Sequence, residues 1–258
     1  MLVHVESIAI LWCWLYTTLM SIYVFLGVLF SFLNKRLGES RRIQSRDCPR
    51  HMVVRDIKQS VKSLLEISLF LTLAVYLQKQ GRGLPPLRMN IPNTILMLMG
   101  SMLVFDTWFY WMHRLIHAKF LYKRIHKWHH QAVTPTIWSN NSDTLLDTLF
   151  LQSYFMVAIF ILPIPFPVLI LHKVFDQVTG MIGHSGYEYF PGKASQYPSP
   201  LIGVTFHDQH HQHVAYNYAT HFSFWDRAMK TVHPDYDRTI DAFTTKSGTM
   251  TLGSRVDS

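Results

Sequence analysis

Residues 113–130 read His-Arg-Leu-Ile-His-Ala-Lys-Phe-Leu-Tyr-Lys-Arg-Ile-His-Lys-Trp-His-His, and they follow directly on an apolar run over 89–112. An apolar run of that length ending in basic residues reads as a helix that leaves a membrane for water. Residues three and four apart share a helix face. His113 and His117 would therefore present their imidazoles to one side, and so would His126, His129 and His130. A third stretch, His207-Asp-Gln-His210-His211-Gln-His213, repeats the pattern. Nine of the fifteen histidines fall in these three stretches. If the faces converge, His113, His117, His126, His129, His130, His207, His210 and His211 offer eight nitrogens. That is too many for one ordinary metal ion. Two ions, each with four or five nitrogens and open positions, fit the count. Imidazole suits zinc, copper, iron and nickel. Structural zinc often takes thiolates, and the two cysteines, Cys13 and Cys48, form no such set.

The rest of the chain agrees with a membrane setting. Charged residues make up 16% and hydrophobic residues 49%, against roughly 25% charged in a soluble domain. The net charge of +8 comes from basic residues alternating with apolar runs. That pattern suits anionic lipid headgroups and topology signals, not nucleic acid. Residues 7–33 carry no charge. The run is too long for a signal-peptide core and lacks a small-residue cleavage site, so it reads as a retained transmembrane helix. Further apolar runs cover 61–76, 89–112 and 149–171, the last continuing weakly to 182. Residues 34–58 hold eight Lys and Arg, whereas 81–90 hold only Arg82 and Arg88. The positive-inside rule puts 34–58 in the cytosol, and His113 then emerges on that same side. Pro163, Pro165 and Pro167 cannot continue a straight helix. A hairpin is expected there, 145–162 in and 168–182 back, and it returns His207 to the face that carries His130.

The whole pattern resembles the fatty acid hydroxylase/sterol desaturase superfamily, which includes sterol C-4 methyl oxidases and C-5 desaturases. The likeness covers about residues 105–227. Its carriers are Asp106-x6-His113-Arg-x-x-His117, His126-Lys-x-His129-His130, His184-Ser-Gly-Tyr187, His207-Asp-x-His210-His211 and Asn217-Tyr-Ala-x4-Phe224-Trp225-Asp226-Arg227. The resemblance implies a ninth ligand, His184, and two iron ions with dioxygen as co-substrate. It also implies a four-helix-type membrane bundle capped by a cytosolic histidine-rich di-metal domain. Electrons would come from a separate protein of cytochrome b5 or ferredoxin type and its reductase. This chain has neither a Rossmann glycine pattern nor a P-loop. The implied reaction is hydroxylation or desaturation of a sterol or fatty acyl lipid.

Ligating histidines usually pass their second N–H to a carboxylate or carbonyl. Asp106, Asp147, Asp208 and Asp226 are the expected partners. His213 lies off the ligand face of its box, and His221 is extra. His4, His51, His172 and His233 read as structural or surface residues. The aromatics Trp108 to Trp111 and Phe222 to Trp225 read as an interfacial belt. The chain divides into 1–92, two transmembrane helices with a basic cytosolic loop; 93–235, the catalytic region with its proline-turned hairpin; and 236–258, a polar tail, loose from 248 onward. A eukaryotic host implies the endoplasmic reticulum, a bacterial one the inner membrane. A zinc-dependent membrane hydrolase would call for a glutamate base as in HExxH, which does not occur. A non-enzymatic histidine-rich metal-binding protein would line its helices with polar residues, and the apolar runs hold few.

Overall fold

The computed structural model describes residues 2–253; their regular elements are all helices, without a named strand. Three helices are long and apolar enough to cross a membrane: α1 (Leu2–Leu37), α2 (Arg50–Lys79) and α3 (Ile91–Ile116). Each begins or ends where its sequence dictates. Pro49 precedes α2 and disfavours helix on its N-terminal side. Asn90 caps α3, its side chain accepting from the Asn93 backbone N–H at 2.8 Å, with Pro92 in the first turn where its missing N–H costs nothing. α1 and α3 keep large apolar side chains on the outside, among them Trp14, Phe25, Val28, Ile95, Leu96 and Leu103. Lipid tails are as apolar as these side chains, so packing there is driven by shape and hydrogen bonds instead.

The contact faces fit that rule. α2 turns Ser60, Ser63, Ser68 and Thr72 inward among Leu64, Ile67 and Leu71. The Ser63 and Thr148 hydroxyls bond at 3.0 Å, and Ser60 donates to the Trp138 carbonyl at 3.2 Å. Such bonds in bilayers contribute about 0.6 kcal/mol each, so close approach of the small side chains matters as much. The shared core joins Leu15, Leu19 and Tyr23 of α1 to Leu64, Ile67 and Leu71 of α2, and to Phe105 of α3.

The expected hairpin turns at the prolines. Its first arm is two short helices, α5 (Leu145–Gln152) and α6 (Tyr154–Ile161), and its second is α7 (Phe166–Gly183). Both arms are shorter than the three long helices. Their apex is pinned by the α2–α3 loop: Leu84 and Leu87 donate to the Ile159 and Pro163 carbonyls at 2.8 and 2.9 Å. Gln78 donates to the Ile164 carbonyl at 2.8 Å and accepts from the Phe166 N–H at 3.0 Å. These bonds satisfy backbone groups that the prolines leave without helical partners. Gly83, at φ +89°, lies against the Ile159 carbonyl where no Cβ would fit.

Two boundaries differ from the sequence expectation. The second helix starts at Arg50, so Arg50, Arg55 and Lys58 lie on α2 and not in the basic loop. Charged residues form a helix as readily as apolar ones, and hydropathy alone misses that first part. The expected loose segment from 248 is also partly helical, because α10 spans Tyr236–Gly253. Tyr236, Ile240 and Phe243 recur at helical spacing and are buried. Residues 254–258 lie outside the described residues. One turn of helix, α4 (Lys119–Tyr122), then α8 (Val204–His213) and α9 (Phe224–Ala228) complete the fold on the histidine side.

The Trp138 indole lies over Gly27 of α1, where a Cβ would run into it. Tyr23 donates to the Trp138 carbonyl at 2.7 Å and Trp138 Nε1 to Ser31 at 3.2 Å. Gly27→Leu should displace this loop and lower stability by about 1–3 kcal/mol. Thermal unfolding in detergent should show a reduced midpoint; an unchanged midpoint would mean that the indole contact is dispensable.

Candidate metal centre

The nine histidines converge on two groups. His113, His117, His126, His130 and His210 form one, and His129, His184, His207 and His211 the other; within each group the ligand atoms lie within 4.8 Å of one another. His113 is in the last turn of α3 and His117 caps it. The second box is not α-helical: it runs through turns into a 3-10 turn at His129–Gln131. The third box is on α8 and His184 caps the C-terminus of α7. The boxes therefore do not correspond one-to-one with the groups. The second and third each send side chains to both, whereas each was expected to face one side. On α8 the cause is simple. Successive residues turn by roughly 100°, so His211 follows His207 into one group while His210 diverges into the other.

Hydrogen bonds orient the rings. The Nδ1 atoms of His113, His184 and His210 lie 2.7, 2.8 and 2.6 Å from the carbonyls of Tyr218, Gly180 and Tyr216. A carbonyl only accepts, so these nitrogens carry the proton and the Nε2 atoms present lone pairs inward. Inside the clusters Nε2 atoms face each other: His113 and His126 at 3.0 Å, His207 and His184 at 2.9 Å, His211 and His184 at 3.2 Å. Two nitrogens bound to one metal at roughly 2.1 Å lie roughly 3.0–3.4 Å apart. Where both nitrogens carry lone pairs, crowding at that separation is repulsive unless a metal cation or a shared proton lies between them. Buried His210 Nε2 and both ring nitrogens of His130 have no well-aligned hydrogen-bond partner. The donor set thus fits two metal ions with imidazole ligands.

The electrostatics agree. Burial holds His126, His130, His207, His210 and His211 well below the usual histidine value and lowers His184 to about 3. These rings stay neutral, as ligands must. For His129 burial also opposes charge, but Asp143 outweighs it and raises the ring. Asp143 Oδ1 lies 3.0 Å from His129 Nδ1, an ion-pair contact that is off the line of a hydrogen bond.

The four expected carboxylates divide. Asp147 touches a box histidine: Oδ1 lies 2.7 Å from His126 Nδ1, while Oδ2 accepts from the Thr144 N–H at 3.2 Å and so caps α5. Asp226 acts at one remove. It accepts from the Tyr218 and Ala219 N–H groups at 2.9 and 2.8 Å, which holds the carbonyl that orients His113. Asp106 accepts from the N–H groups of His221 and Phe222 at 2.9 and 3.1 Å, and Asp208 from Gln44 at 2.6 Å and from Gln212. Neither touches a box histidine. Sequence reasoning passed over Asp143; its spacing of four from Asp147 was the available signal. It also passed over Glu188, which accepts from the Thr205 N–H at 2.8 Å at the start of α8, where Gly203 supplies no cap. The carbonyl partners carry no side-chain signature. Of the other histidines, His213 stacks on His233 at 4.3 Å, outside both groups. His172 is buried beside Ser101, with Nδ1 2.8 Å from its hydroxyl. His4 has no described side chain. Within the aromatic stretches, Trp111 and Phe224 are exposed, but Tyr110 is buried and Phe109 and Phe222 line a cavity. That cavity has a volume of about 620 Å³, and its wall includes His113, His126, His129, His184 and His207.

Comparison with known proteins places this geometry. The model of the fatty acid hydroxylase family matches residues 98–231, just over half of the chain. Methylsterol monooxygenase 1 of Rattus norvegicus is 33% identical over 138 residues, 54% of this chain and 47% of that protein. Lathosterol oxidase of Homo sapiens is 32% identical over 187 residues, 69% of this chain and 60% of that protein; its counterpart in Mus musculus is 35% identical over 193 residues, with the same coverage. The chain thus spans about half to three fifths of the curated relatives it matches. No solved structure gives a significant match.

Partners of ligating histidines typically contribute 10–100-fold to metal affinity. Asp143→Asn should loosen metal in the four-histidine group and Asp147→Asn in the five-histidine group, each by about 10–100-fold. Chelator titration of the purified protein measures this; release matching the wild type in both variants would contradict these roles.

Proposed function

The chain belongs to the fatty acid hydroxylase family, and from that premise we propose that it is a membrane-bound, di-iron, dioxygen-dependent hydroxylase or desaturase of sterol or fatty acyl lipids. The observation that carries the reading is the pair of imidazole groups, five and four, each of which lends histidines to the wall of a single cavity. His113, His117, His126, His130 and His210 would hold one iron and His129, His184, His207 and His211 the other. Bound iron supplies the redox chemistry that turns dioxygen on an unactivated C–H bond.

The protein's own contribution is positioning. Carbonyls and carboxylates on the outer ring nitrogens keep the imidazoles aimed inward. Burial keeps water out and the ligands neutral. Asp143 and Asp147 offset part of the charge that two cations would add. Met99, Met102, Phe109, Phe175 and Leu201 in the cavity wall align an apolar substrate beside the histidines. No side chain serves as a nucleophile.

Residues 93–235 form the catalytic region in this reading, and the histidine end faces the cytosol. Two electrons per turnover come from a cytochrome b5- or ferredoxin-type protein and its reductase. Lys119, Lys123, Arg124 and Lys127 are exposed beside the second box and give an acidic donor a place to dock. The membrane is the endoplasmic reticulum in a eukaryotic host and the inner membrane in a bacterial one.

The test is turnover by reconstituted protein with a reductase system, sterol and fatty acyl lipids and ¹⁸O₂. The expected result is oxygen-dependent formation of a labelled alcohol or of an alkene, falling to background in His129→Ala. Equal turnover without oxygen, or with zinc as the native metal, would overturn the proposal.

A further inference from the structure

The three long helices and the hairpin enclose few ionisable side chains, and two of them are paired on α7. Lys173 Nζ lies 2.5 Å from Asp176 Oδ2 and 2.7 Å from Gln152 Oε1, with the Phe155 ring 5.0 Å away. Lys173 is 1% exposed and Asp176 6%. Ionisable groups at such positions are costly and mark function by default. The lysine is fully engaged, but the pair as a whole is not. Asp176 Oδ1 faces His221 Nε2 across 3.8 Å, beyond hydrogen-bond reach, and His221 Nε2 is buried with no partner. Asp176, His221 and Gln152 all line the cavity that reaches the histidine groups.

None of these residues belongs to the metal groups, and none of the ligands touches them. Asp106 holds the His221 backbone N–H at 2.9 Å, and the His221 ring packs against Phe105 and Phe175 with centroids 5.6 and 5.4 Å apart. The ring is thus held in place beside the cavity, with Nε2 left unpartnered. Asp176 is eight residues before His184 on the same helix, or roughly 12 Å along its axis. A polar seat therefore exists in the cavity wall, two turns before His184 along α7.

We propose that Asp176 and His221 form the seat for an alcohol group of the lipid substrate. A hydroxyl oxygen between two polar atoms 3.8 Å apart can lie about 2.8 Å from both. It donates to Asp176 Oδ1 and accepts from the His221 ring, so the seat requires the imidazole to carry its proton on Nε2. Lys173, itself held by Gln152, keeps the carboxylate aimed. A lipid lacking the hydroxyl leaves the histidine nitrogen buried and unpaired, which is costly. The seat thereby selects hydroxylated lipids and fixes how far a chain or ring system extends toward the histidines. The inference rests on the reading of the cavity as a lipid site.

Equilibrium binding to the iron-loaded protein in detergent, without reductant, tests it. The probes are two pairs differing only in the hydroxyl: cholesterol against its 3-deoxy analogue, and octadecanol against octadecane. The wild type should prefer the alcohol by about tenfold or more in at least one pair, and the pair that responds identifies the scaffold. His221→Phe should abolish the preference, and His221→Gln, which keeps an N–H donor, should restore most of it. Equal affinity within both pairs in the wild type would overturn the proposal, and so would a preference that survives His221→Phe. Metal content is measured on the same samples. A lost preference with two irons present refutes the seat alone, and a retained preference without iron refutes the di-iron reading alone.

Discussion

The structure depends on where the outer nitrogens of the histidines are tied. Backbone carbonyls of Tyr218, Gly180 and Tyr216, with the carboxylate of Asp147, occupy the Nδ1 side of four rings. With the carbonyl-bound rings fixed in one tautomer, their Nε2 lone pairs point into the two histidine groups. Such an arrangement is electrostatically poor by itself and is relieved by a metal ion or a proton in the middle. Much of the remaining fold serves to hold those outer partners. The loop from Tyr216 to Thr231 is an example. Asn217, in the left-handed region at φ 58°, donates to the Phe206 carbonyl at 2.8 Å and accepts from the His233 N–H at 2.7 Å. Asp226 secures the next stretch through the Tyr218 and Ala219 N–H groups. Two of the four ring partners therefore come from a loop whose own geometry is set by an asparagine and an aspartate.

The membrane part solves a different problem. Helices in lipid gain little from apolar contact with each other, so they are joined by small side chains and hydrogen bonds. The serines of α2 and the Trp138 loop lying on Gly27 meet that need. The loop matters for the metal groups too, because it runs from the second box to Asp143 and α5. Anchoring Trp138 on α1 fixes the segment that supplies both carboxylates of the second box. The helical bundle is thus coupled to the ring orientations through about ten residues of irregular chain.

Much of this was legible in the sequence. The three long helices, the turn at Pro163 to Pro167 and the gathering of histidines follow from hydropathy, proline chemistry and 3.6-residue periodicity. Asp147 could be named because it follows a box at a helix start. The rest depended on contacts distant in sequence. The division of each box between two groups was invisible, since periodicity describes one helix and the second box is not a helix. Asp106 and Asp208 sit at plausible spacing, yet one holds the N–H groups of 221 and 222 and the other holds Gln44. No local pattern announces either partner. The carbonyl acceptors leave no trace in the sequence at all. His184 was visible only through its likeness to a family, because a single histidine after a glycine-rich helix end carries no spacing signal.

The central claim is that two irons sit in two imidazole groups of five and four. Mössbauer spectroscopy with elemental analysis of ⁵⁷Fe-loaded, intact protein in detergent tests it most directly. The account predicts about two irons per chain in two inequivalent, nitrogen-rich environments. One iron per chain, a single environment of one type, or zinc filling the groups in purified native protein would contradict it.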